Sequence, residues 1–141
     1  MRVLGLDIGE RRVGVAVSDP GGRVATPVKV LQAPLSADLS SFRRVLEDYE
    51  VEMIVVGLPL SMDGSEGPQA ALVRKEVARL AKAVAVEWRF QDERLSSIAA
   101  QRMMAEAGAD SRKRRGSVDM VAASIMLQTF LDTKESQDPV A

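Results

Sequence analysis

Val3-Leu4-Gly5-Leu6-Asp7-Ile8-Gly9 opens the chain, and Arg12-Val13-Gly14-Val15-Ala16-Val17-Ser18 follows two residues later. Val3 to Leu6 are apolar on both alternation faces, the pattern of a strand covered on both sides. Asp7 at the end of such a strand would carry a costly buried charge unless a site uses it. Gly9 permits a tight reversal, so the second run predicts an antiparallel partner with Val13, Val15 and Val17 on one face. Gly14, Ala16 and Ser18 make the opposite face small, which lets a helix or a phosphate backbone come close.

Working outward, Asp19-Pro20-Gly21-Gly22 is a turn signal, and Arg23 to Leu31 predicts a third strand, placed at an edge by Pro27. Short turns between the three make an antiparallel meander. Leu39, Phe42, Leu46 and Tyr49 then recur at helical spacing within Ser36 to Glu50. Glu52 to Gly57, nearly all apolar, predicts an interior parallel strand reached by a crossover. The glycine-rich loop Leu58 to Pro68 leads to a helix with Leu72, Val73, Val77 and Leu80, whose first turn suits Pro68. Ala83 to Phe90 alternates as a strand and ends in Gln91-Asp92-Glu93-Arg94, a second acidic strand end. A helix over Leu95 to Ala107, capped by Ser96 or Ser97 and stopped by Gly108, a polar loop over Ala109 to Gly116, and an apolar helix over Ser117 to Leu131 complete the reading. The tail from Thr133 to Ala141 has no periodicity and is expected to fray. The expected fold class is therefore α/β, a mixed five-stranded sheet with helices on both faces, as a single domain over residues 1–132.

The 141 residues carry 19 basic and 20 acidic side chains, with no cysteine and no histidine. Disulfides, thiolate metal sites and histidine bases are thereby excluded, so hydrolytic chemistry would rest on carboxylates, lysine, hydroxyls or a metal ion. No apolar run approaches the roughly 20 residues that span a bilayer, and no signal segment is visible, so no membrane partner and a cytoplasmic location are expected. Net charge of −1 leaves nucleic-acid binding to local clusters. Arg112-Lys113-Arg114-Arg115 is the densest of these, and Arg11, Arg12 and Arg94 belong to the same question.

Asp7, Glu93 and Asp119 are the acidic positions that the topology could gather, two at strand ends and one at a helix start. Two of them have a plainer use: Asp7 to start a turn, Asp119 to favour the positive end of a helix. Asp92 and Glu93 point to opposite faces if the strand persists, so one of them faces any site. Three clustered carboxylates repel one another unless a divalent cation neutralises them, and Mg²⁺ or Mn²⁺ accepts such oxygen ligands. The loop at Ser61 to Gly67 could be a backbone-amide anion cradle, but it lacks the lysine of a P-loop.

Gly5-Leu6-Asp7-Ile8-Gly9 with Arg11 to Asp19, Val56-Gly57-Leu58-Pro59 with Asp63 to Gly67, Asp92 to Ser97, and Asp119 to Ala123 with Leu127-Gln128 resemble the YqgF family. This family is also called RuvX, the Holliday-junction-resolvase-like nucleases of pre-16S ribosomal RNA. The resemblance spans Met1 to Asp132 with its four motifs in order. It implies an RNase H-like fold and a Mg²⁺- or Mn²⁺-dependent site of Asp7, Glu93 and Asp119. It also implies 5′-end processing of pre-ribosomal RNA, with branched or single-stranded DNA as other substrates, by a monomer or homodimer. Glu93 rather than Asp92 is chosen on that match. Two other classes remain open: a catalytically silent RNA-binding module for ribosome assembly, and an actin-like ATPase-related domain, whose duplicated architecture a single copy lacks.

Overall fold

The computed structural model describes residues 1–94 and 115–133. Among these the chain forms one five-stranded sheet, ordered β3-β2-β1-β4-β5. Its strands are β1 (Val3–Ile8), β2 (Arg12–Ser18), β3 (Ala25–Gln32), β4 (Met53–Leu58) and β5 (Glu87–Asp92). The first three pair antiparallel, while β4 lies parallel between β1 and β5. The expected meander and crossover are both present. Pro27 sits on edge strand β3, where the register against β2 slips between Val15 and Ala16, so its missing N–H breaks no interior ladder.

Three helices accompany the sheet among the described residues: α1 (Leu39–Asp48), α2 (Pro68–Ala83) and α3 (Arg115–Thr133). Alternation along the strands sorts the core into two layers. Leu4, Leu6, Val13, Val15, Ile54 and Val56 pack with Phe42 and Val45 of α1 and with Val73, Val77 and Leu80 of α2. On the other face Val3, Ala16 and Val55 meet Ala123, Met126, Leu127 and Phe130 of α3. Each such buried side chain contributes roughly 1.5–3 kcal/mol relative to exposure.

The small face of β2 is the seat of α3. A Cβ on Gly14 would collide with the backbone carbonyl of Asp119, and one on Gly5 would lie 2.9 Å from the Leu127 Cβ. Gln128 fastens the same helix to the edge, its Oε1 accepting from Ala25 N at 2.9 Å and its Nε2 donating to Arg23 O at 2.8 Å.

Several boundaries differ from the sequence reading. The third strand starts at Ala25 instead of Arg23, because the Asp19 carboxylate accepts the Arg23 and Val24 amides into the turn at 2.7 and 3.0 Å. In place of one helix over Ser36 to Glu50, a 3₁₀ turn at Leu35–Ala37 precedes α1, since the Asp38 side chain caps α1 by accepting from Ser41 N. The last strand begins at Glu87, not Ala83, because the good helix formers Ala81, Lys82 and Ala83 extend α2, whose end is closed by Val84 N donating to Leu80 O. It then runs on to Asp92, paired with Leu58. Arg115 and Gly116, expected in a loop, are helical, so Asp119 lies beyond the first turn and does not serve to complement the helix dipole. Thr133 is the last helical residue of α3 rather than part of the tail. The expected helix over Leu95 to Ala107, the loop residues 109–114 and the tail from residue 134 lie outside the described residues.

Candidate active site

Asp7 is the fifth residue of β1 and faces α3, on the alternation face of Val3 and Gly5. Its partner in the register of β2 is Gly14, the residue against which the Asp119 backbone rests. The close approach of α3 allowed by Gly14 therefore also brings Asp119 toward Asp7.

Glu93 follows β5 directly, its N–H donating to Leu58 O at 3.1 Å. This anchor turns its side chain onto the α3 face above Gly57 of β4, where a Cβ would strike the Glu93 carboxyl. With no side chain on the intervening strand, Glu93 reaches across to hydrogen-bond Asp7. Of the two neighbouring acids, Glu93 meets Asp7. Asp92 is turned into an ion pair with Arg94, at 2.7 Å between Nη2 and Oδ2.

The two joined carboxyl groups titrate together. Burial raises the Asp7 pKa most strongly, the hydrogen bond from Glu93 opposes this, and the negative Asp119 raises it further. Glu93 is pushed up to about 8 by burial, then by the charge of Asp7, their hydrogen bond and the charge of Asp92. At neutral pH the pair holds a proton between its oxygens.

Asp119 is near enough to act on Asp7 through space, yet its own contact is with Arg12, whose Nε donates to Oδ2 at 2.7 Å. Among the described residues no three acidic side chains stand close enough together to hold a metal ion as one group. The expected trio is thus a joined pair with a third carboxylate tied to an arginine. Arg11 and Arg12, with Glu10, Gln69 and Asp119, line an open groove of about 320 Å³ beside it.

The other basic candidates separate. Arg94 clasps Asp92 and donates from Nη1 to Met62 O at 3.2 Å, tying the β5 end to the loop before α2. Arg112, Lys113 and Arg114 lie outside the described residues, and only the backbone of Arg115 is described. Two contributors went unread in the sequence as parts of the site: Gly57, which clears the path of Glu93, and the partnership of Arg12 with Asp119, 107 positions apart. The glycine at the end of an all-apolar strand was the available signal for the first.

A family model described as "RuvX: Holliday junction resolvase" matches residues 1–133. A protein of Roseiflexus sp. (strain RS-1) named "Putative pre-16S rRNA nuclease" is 46% identical over 134 residues, covering 94% of this chain and 95% of the relative. One of the same name from Myxococcus xanthus (strain DK1622) is 44% identical over 139 residues, covering 98% and 92%. Among solved structures, Thermus thermophilus RuvC in complex with a Holliday junction substrate superposes with a TM-score of 0.58 at 14% identity, covering 96% of each chain. That likeness shows the fold, RNase H-like as in the resolvases. From the match across nearly its whole length, the chain belongs to the RuvX family.

Proposed function

We propose that this chain is a nuclease that hydrolyses phosphodiester bonds with a divalent cation at the Asp7 and Glu93 pair, acting in 5′-end processing of pre-16S ribosomal RNA. Family membership supports the reaction class, and the names of the relatives support the substrate. The observation that carries the reading is the contact of two half-buried carboxyl groups at the ends of β1 and β5, beside the Arg12 and Asp119 ion pair.

The residues fit a hard cation. The donors are carboxylate oxygens alone, the missing side chain of Gly57 leaves room for the Glu93 carboxyl to reach Asp7, and the pair relieves its repulsion at present by keeping a proton that a cation could replace. Asp7 and Glu93 would hold the ion, Mg²⁺ or Mn²⁺, with Asp119 as a third donor. Bound there, it would supply a Lewis acid for the phosphoryl oxygen and a water of lowered pKa.

The chain's own residues have separate tasks. Arg12 presents a guanidinium fork that suits a phosphate, so a bound backbone would draw it from Asp119 and free that carboxylate. Arg11 lies in the same groove. The run Arg112 to Arg115 leads into α3 and would add phosphate contacts that position the strand without reading its sequence.

The test is a panel of end-labelled substrates: RNA spanning the 5′ end of 16S ribosomal RNA, single-stranded DNA and a four-way DNA junction. Each is incubated with Mg²⁺, Mn²⁺ or a chelator. Metal-dependent cleavage of the RNA is the expected result. Intact substrates under every condition would overturn the enzymatic reading in favour of a silent binding module.

A further inference from the structure

Two hollows meet at the end of β1. The groove of Arg11 and Arg12 reaches α3 at Asp119, and a cavity of about 510 Å³ runs along α2 from Ile8 and the Ala33-Pro34 segment. Gly9 and Glu10 line both, so the hollows adjoin across one turn.

On the α2 wall stand Lys75 and Arg79, one helical turn apart and both exposed. Neither side chain has an ion pair or hydrogen bond among the described residues, and the same holds for Arg11 in the groove, whereas Arg12, Arg74, Arg89 and Arg94 are each paired with a carboxylate. Of the acids beside them, Glu76 is buried and Glu10 accepts from Gln69 Nε2 at 3.1 Å. The cavity also offers apolar surface, since Pro34 is exposed and Leu72 is 37% exposed. Unpaired cations beside apolar surface, continuous with a groove at the candidate active site, suit a polyanion that carries rings.

A backbone passing from groove to cavity turns over the Gly9-Glu10 corner, from the helix on one face of the sheet to the helix on the other. Duplex nucleic acid, with a persistence length of about 50 nm, does not follow such a corner. The cavity volume lies within the roughly 300–1,000 Å³ of small-molecule sites, which gives room to unpaired nucleotides and not to a duplex.

We propose that the cavity along α2 is the channel of an unpaired strand leaving the groove, with Lys75 and Arg79 on its phosphates and Leu72 and Pro34 against its sugars and bases. Such contacts hold a strand without selecting its bases. The assignment rests on the nucleic-acid reading of the site and adds to it a path and two residues.

An RNA hairpin, either blunt or with a short unpaired uridine tail at its 5′ or its 3′ end, is titrated with the full chain by fluorescence anisotropy. Chelator prevents cleavage, and the titration is repeated at several salt concentrations. A tail at one end should strengthen binding by the wild type. Lys75→Ala combined with Arg79→Ala, both at exposed helical positions that tolerate alanine, should abolish that gain. It should also make the salt slope for the tailed hairpin shallower by about 1.4, the value for two phosphate contacts on a single strand. Lys29→Ala combined with Arg44→Ala removes the same charge from exposed positions outside the cavity and should keep the gain. No gain from either tail, a gain that survives in the Lys75 and Arg79 variant, or its equal loss in the Lys29 and Arg44 variant would overturn the proposal. A gain that depends on Lys75 and Arg79 in a protein that cuts nothing loses the nuclease reading alone, and cleavage without such a gain loses the channel alone.

Discussion

Arg12 Nε donates to Asp119 Oδ2 at 2.7 Å, joining the first residue of β2 to the interior of α3. The pair is partly solvated, with side chains 41% and 28% exposed, so its contribution to stability is modest, about 0.2–1 kcal/mol. Arg12→Ala should therefore lower the unfolding free energy measured in urea by no more than that amount. Nucleic-acid binding should weaken at every sequence, with the salt dependence shallower by about one unit of slope. Binding titrations at several salt concentrations check this, and an unchanged slope would leave Arg12 a purely structural partner of Asp119.

Gly14→Ala should behave in the opposite way. Its Cβ would collide with backbone on α3, which cannot yield as a flexible side chain can. We expect a loss of about 1–3 kcal/mol in chemical denaturation, together with impaired cleavage because Asp119 moves with the helix. Wild-type stability in this variant would show that α3 does not sit as closely on β2 as described.

The carboxyl pair has a signature in pH. Glu93 is raised from 4.5 to about 8 in the folded state, so between those values the native protein holds a proton that the unfolded chain has released. Its contribution is fully present below about pH 4.5 and is lost as pH rises through about 8. In chelator, the melting temperature of the wild type relative to Glu93→Gln should fall across that window. Parallel curves for the two proteins would mean that Glu93 does not share a proton with Asp7 in the folded state.

Replacing Arg114 and Arg115 by alanine should lower nucleic-acid affinity across sequences and reduce the salt slope by about one unit per lost phosphate contact. Single-turnover cleavage of bound substrate should change much less, since these side chains would position the backbone without touching the reacting bond. Equal slopes and affinities for variant and wild type would confine the binding surface to Arg11, Arg12 and their groove.

The sheet was legible because its signals are local: apolar runs for β1 and β4, alternation for β2, a proline for the edge strand β3. Boundaries moved where a side chain captured backbone amides, as Asp19 and Asp38 do. Of the site, Asp7 was legible as a carboxylate ending a covered strand. Glu93 and Asp119 needed the family likeness, since alternation alone does not choose between Asp92 and Glu93, and an aspartate near a helix start has an ordinary capping use. The roles of Gly57 and Arg12 depend on contacts between residues far apart in the chain, which no local pattern encodes.

The most direct measurement compares the wild type with Asp7→Asn, following cleavage of the pre-16S RNA substrate and the metal-induced rise in melting temperature on the same preparations. The wild type should cut in Mg²⁺ or Mn²⁺ and melt higher with metal, because only the folded state assembles the ligands. Asp7→Asn should melt in chelator at or above the wild-type temperature, having shed a half-buried carboxyl beside Glu93. It should lose cleavage by more than about a hundredfold and lose the metal-induced rise. A folded Asp7→Asn protein that cuts at the wild-type rate, with the same response to metal, would contradict the account.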